Sequence, residues 1–310
     1  QFRSIGGYII ETSTHTYFNG SFDGKGFTIS NLDNNKYINK TNDYMGLFGY
    51  LYSAGVIKNL TVKGSVSGGN YVGGVVGYNM GTLDYVFYEG TVTSDGSYIG
   101  GIVGVNSGKI TNTYNKAAIS ATNTVFGLAV GGIVGINLTG SNTYNLINTG
   151  NITATNYQWV GGLIGQHYGM LKNSFSTGNA SGSAYVGGVV GQNSSSGLVI
   201  NTYNRGAITG SNTYVGGVVG YNNSGTVRYS YYLENCAKDG KPTNQKGIGH
   251  GTLGSTTADV AGSIGAFTDT AVATSVSRPA TKNYKGTFTA TITVSGYKTN
   301  SLLDALNLGV

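Results

Sequence analysis

Charge is scarce in this chain. Only 10 % of its 310 residues are Asp, Glu, Lys or Arg, against about 25 % in ordinary globular domains. The 12 acids form no recurring column. Glu89 and Asp95 are close in sequence but fall on opposite sides of a strand, so the paired carboxylates of a glycosidase are not expected. The 18 Lys and Arg leave a formal charge of +6. They are scattered rather than gathered in a basic run, which argues against a nucleic-acid partner. Proline occurs twice, and the single cysteine, Cys236, has no intrachain disulfide partner. No apolar run reaches the roughly 18 residues that would read as a membrane span. His15, His167 and His250 lie far apart and supply no clustered zinc ligands. Gly-rich stretches lack the Gly-Lys-Ser/Thr ending of a phosphate loop and the recurring Asp of a calcium-binding β-roll. No cofactor, metal or catalytic residue is therefore expected. A chain poor in charge yet holding 24 Tyr is also unlike a disordered one.

Glycine is abundant, at 53 residues, and it recurs with a period. Gly73-Gly74-Val75-Val76-Gly77 is echoed as Gly100-Gly101-Ile102-Val103-Gly104 and Gly131-Gly132-Ile133-Val134-Gly135. It returns at Gly161–Gly165, Gly187–Gly191 and Gly216–Gly220, with a divergent first copy at Gly46-Leu47-Phe48-Gly49. The Gly before each apolar pair stands at 46, 74, 101, 132, 162, 188 and 217. Between copies run short β-branched and aromatic pieces punctuated by Gly and Asn, the pattern of strands. Frequent Gly and the lack of a 3.6-residue period exclude long helices. One unit of this size has too little core to fold alone, whereas stacked units share one.

Stacking predicts vertical columns of like residues. Two residues after the motif stand Asn79, Asn106, Asn137, His167, Asn193 and Asn222, a corner ladder in which each amide can bond its neighbour and the turn. Two residues before the Gly pair stand Tyr71, Tyr98, Ala129, Trp159, Tyr185 and Tyr214. These rings either pack on one another or offer stacking faces to sugar. A third column holds Phe87, Tyr114, Ile147, Phe175, Tyr203 and Tyr231, and a fourth Val66, Val92, Ile119, Ile152, Ala180 and Ile208. The Gly pair is expected at a tight bend where a Cβ would clash.

The expected architecture is all-β, a parallel β-helix or β-solenoid of about seven coils with an N-terminal cap and a β-rich C-terminal tail. Residues 1–45 read as the cap and first strands, with a hairpin or irregular coil near Phe18–Gly26. Residues 46–235 read as the repeat solenoid. Residues 236–310 read as a cap or assembly segment, with a strand over 287–294 and a short helix beginning at Ser301. The chain starts at Gln1 without Met, which reads as a piece of a longer product.

The repeat resembles the bacterial GLUG-motif family. The resemblance rests on Gly46-Leu47-Phe48-Gly49, the six Gly-apolar-apolar-Gly copies, and the opening Phe22–Ile29 followed by Asn59-Leu60-Thr61-Val62. It covers roughly residues 18–235 and implies a β-helix in a secreted or cell-surface bacterial protein, with no catalytic residue. The expected function is thus a non-catalytic, adhesin-like surface solenoid whose partners are a host or neighbouring-cell surface or a glycan. Two alternatives stay open. One is a filament subunit self-associating by addition of the 287–294 strand. The other is a polysaccharide-binding or degrading protein using Tyr71, Tyr98, Trp159, Tyr185 and Tyr214.

Overall fold

The computed structural model describes residues 4–9, 14–34, 43–211, 214–233, 236–238 and 247–251, and three strands beyond them. Each repeat makes one coil, because its two apolar faces can be covered only by copies of itself above and below. One side of the coil is a short strand, and eight of these form a parallel sheet running from Phe48–Leu51 through Val76–Asn79, Val103–Asn106 and Val134–Asn137 to Ile248–Gly251. The other side is longer, as in Val56–Gly68 and Thr82–Ser94, and belongs to a 19-stranded sheet that wraps the rest of the coil. The chain is a parallel β-solenoid of about seven turns, as its periodicity implies, and no helix occurs among the described residues.

The register fixes the columns. Asn106 pairs with Asn79 and Asn137, His167 with Asn137 and Asn193, and Asn193 with Asn222. Phe87, Tyr114, Ile147, Phe175, Tyr203 and Tyr231 pair in succession. So do Val66, Val92, Ile119, Ile152, Ala180 and Ile208.

The motif's two consecutive apolar residues are both buried, for example Ile102 and Val103 at 0 % exposure. A straight strand would send one of them outward. A corner between them solves this: Ile102 N–H bonds Ile133 O at 3.1 Å, and Val103 N–H bonds the same carbonyl at 2.9 Å. Each such Val or Ile contributes roughly 1.5–3 kcal/mol by leaving water. The second motif Gly is needed for close approach rather than for an unusual φ. A Cβ on Gly101 would stand 2.6 Å from Asn115 Cγ, and one on Gly132 2.5 Å from Asn148 Cγ.

Stacking extends past both ends of the 46–235 segment. Ser21–Asp23 and Thr28–Asp33 already pair in parallel with Val56–Gly68, forming an irregular first coil, while Gly7–Ile9 and Thr14–Thr16 make an antiparallel hairpin. Ala237 pairs with Ile208, Ile248 with Val219 and Ile264 with Ser230. Within the expected 287–294 strand, Thr289–Thr293 is extended and pairs antiparallel with Val272–Ser277 of the same chain. The helix expected from Ser301 lies outside the described residues.

Candidate functional site

Three amide ladders run along the solenoid. In the corner ladder Asn79 Nδ2 donates to Asn106 Oδ1 at 2.6 Å, and Asn106 Nδ2 to Asn137 Oδ1 at 2.7 Å. Each Oδ1 also accepts the N–H two residues on, Gly81 at 3.1 Å and Gly108 at 3.2 Å. The ring of His167 interrupts this. Its Nδ1 lies 3.2 Å from Asn137 Nδ2, while Nε2 turns to Leu198 O at 3.3 Å instead of the next amide. Asn193 Oδ1 is left buried without a hydrogen bond, and the ladder resumes as Asn193 Nδ2 donates to Asn222 Oδ1 at 2.9 Å. Burial pushes His167 down to about 4, so the ring is neutral, an acceptor at Nδ1 and a donor at Nε2.

Two ladders were not singled out from sequence. Asn115, Asn148, Ser176 and Asn204 are fully buried in the core. Asn115 Nδ2 donates to Asn148 Oδ1 at 2.9 Å, and Asn204 Nδ2 to Cys236 Sγ at 3.4 Å. These are the side chains that occupy the space over the motif glycines. Their signal was an Asn or Ser right after the third column. The remaining ladder holds Asn112, Asn145, Asn173 and Asn201, at φ 50–57°. This is the left-handed region that Asn tolerates better than most residues, and it turns the broad sheet at one place per coil. Here the donors point the other way: Asn145 Nδ2 to Asn112 Oδ1 at 2.9 Å, and Asn201 Nδ2 to Asn173 Oδ1 at 2.7 Å. The signal was Asn two residues before the third column.

The aromatic column lies on the outer surface beside the eight-stranded sheet. Tyr71, Tyr98, Trp159, Tyr185 and Tyr214 are all partly exposed. They pack on one another, the first of the two roles the sequence left open. Tyr71 stacks on Tyr98 with centroids 5.8 Å apart, and Tyr185 on Tyr214 at 5.1 Å. Tyr44 extends the column, stacked on Tyr71 at 4.7 Å; it was missed because the first copy of the motif is divergent. A second row, Tyr50, Tyr78, Val105, Ile136, Gln166, Gln192 and Tyr221, pairs in register along the same face. Tyr50 and Tyr78 stack nearly parallel at 4.8 Å.

Between Tyr98 and Trp159 the column carries Ala129, which is fully buried and pairs with Trp159. A cleft of about 370 Å³ lies between the Tyr98 and Trp159 rings, lined also by Leu128, Ile136, Gln166 and Tyr168.

Among the described residues the acids do not gather. Glu89 forms an ion pair with Lys63 at 3.0 Å, and Asp95 is exposed. Among the described residues no group of three His, Cys, Asp or Glu could hold a metal ion. No helix among them is long and apolar enough to cross a membrane, which says nothing of a β-barrel.

No family profile and no solved structure matches the chain. It is similar to halomucin of Haloquadratum walsbyi (strain DSM 16790 / HBSQ001), with 50 % identity over 80 residues, 25 % of this chain. The match spans about 1 % of halomucin's own length.

Proposed function

We propose that this chain is a structural surface module, a stiff extracellular solenoid of the adhesin-like kind without catalysis, related to the GLUG-motif proteins its repeat resembles. The observation that carries the reading is the continuity of stacking. Coil is joined to coil by two sheets and three amide ladders, while the described acids and histidines are dispersed or held in structural contacts. A rod of this kind supplies length and resistance to proteolysis rather than a reaction centre. The partial similarity to a protein named as a mucin supports a place outside the cell. Self-assembly through the C-terminal strand is less favoured, since Thr289–Thr293 already spends one edge on Val272–Ser277. The test is antibody labelling of intact against permeabilised cells of the source organism. Equal labelling of both supports the proposal; signal only after permeabilisation refutes it.

A further inference from the structure

We infer that the cleft between Tyr98 and Trp159 is a binding site for a neutral oligosaccharide chain lying along the solenoid axis. The inference takes up the binding role within the surface-module reading, and it is tested on the purified chain, so its failure and a failure of the location test are separate results.

The cleft lies where the aromatic column lacks a ring. Tyr98 stands one position before the Ile99–Val130 pair, so Ala129 follows it in the column and Trp159 follows Ala129. With coils about 4.8 Å apart, two aromatic walls face each other across a gap two coils wide, floored by Ile136 and flanked by Leu138. The volume falls within the range of small-molecule sites.

The polar groups in the cleft are unequal in an informative way. Gln166, only 5 % exposed, donates through Nε2 to Tyr168 Oη at 2.6 Å and to Gln192 Oε1 at 2.7 Å. Its Oε1 accepts nothing from the protein and is open to a donor from the cleft. Tyr168 Oη receives the Gln166 bond and keeps its own hydrogen to give. A free acceptor and a free donor therefore sit on side chains joined by one short hydrogen bond, beside two aromatic faces, and no lining residue is charged.

A sugar matches each of these features. Its C–H faces cover rings, and each hydroxyl both donates and accepts, so neighbouring hydroxyls satisfy Gln166 Oε1 and Tyr168 Oη–H together. A polyproline-type peptide would also stack on aromatic walls. However, its backbone offers carbonyl acceptors alone where it lacks N–H groups, and Gln166 Oε1 would stay unpaired. The column continues on both sides of the cleft, Tyr71 beyond Tyr98 and Tyr185 beyond Trp159, which provides a track for a chain rather than a single ring.

The experiment is affinity electrophoresis of the purified chain through gels carrying hydroxyethylcellulose, galactomannan, soluble starch or xylan. Hyaluronan serves as the acidic comparison and a proline-rich peptide as competitor. The expected result is retardation by at least one neutral polysaccharide, unchanged by added salt and by the peptide. Retardation should be lost in Trp159→Ala and in Thr139→Trp. The second variant fills the cleft from an exposed lining position, so its thermal melt should match the wild type and show that lost binding is not lost folding. Three results would overturn the inference: no retardation by any neutral polysaccharide, retention undiminished in folded Thr139→Trp, or displacement by the peptide.

Discussion

Replacing His167 by Asn should remove an acid weakness built into the corner ladder. The wild-type ring is buried, and its Nδ1 faces the donor Nδ2 of Asn137 at 3.2 Å. A second proton there would meet a donor, not an acceptor. The folded ring is held down to about 4, against 6.5 when unfolded. Between these values the unfolded chain takes a proton that the folded one refuses, so stability falls as pH drops from 6.5 to 4 and levels off below. The gap corresponds to about 3 kcal/mol in total, at about 1.4 kcal/mol per pH unit. His167→Asn removes this slope. It also gives the orphaned Asn193 Oδ1 a donor, which adds about 1 kcal/mol at neutral pH. Urea midpoints followed by far-ultraviolet circular dichroism at pH 7 and pH 4.5 measure both effects. Asp23, held below the usual carboxylate range chiefly by the Asn59 amide, loses its contribution only at lower pH and does not confuse this window. An equal acid loss in wild type and His167→Asn would refute the assignment.

Other outcomes follow from the packing. Gly132→Ala should cost about 3 kcal/mol or more, since its Cβ has no room beside Asn148. Gly140→Ala, in open space at φ +83°, should cost only about 1 kcal/mol of backbone strain; denaturant midpoints separate the two. Asn148→Leu leaves the Gly150 N–H and the Asn115 amide without their acceptor, and a loss of about 3 kcal/mol is expected by the same measurement. Burial pushes the Cys236 thiol up to about 11 from 9. At pH 8 its alkylation should run about 100-fold slower in the folded chain than in urea, as followed by mass spectrometry.

The fold was legible because the period, the Gly pair and the column identities all survive in one dimension. Register does the rest once one coil is placed on the next. The candidate site was legible only in part. Tyr98, Trp159 and Tyr185 stand out as aromatic, but Ala129 matters for what it lacks. Its effect depends on Ile136, Leu138 and Gln166 arriving from other strands of the same face. Sequence spacing does not report which outward residues of two adjoining strands converge. The glycine reading was also incomplete. A bend was expected, while the constraint comes from the carbonyl of the next coil's motif Gly and from the buried Asn115–Asn204 ladder lying over it, the latter a contact across the coil interior. His167 was read as a corner residue, and its consequence for Asn193 appears only when donors and acceptors are followed atom by atom.

The opposed directions of the ladders bear on how such a chain changes length. The corner and core amides donate toward the C-terminus, and the Asn145–Asn112 and Asn201–Asn173 amides donate toward the N-terminus. Two ladders thus point one way and one the other, so their dipoles are offset only in part, and the same bias repeats from coil to coil. Duplicating or deleting a whole repeat therefore leaves the hydrogen-bond directions of the remaining coils unchanged, and lineages are free to vary reach in steps of one coil.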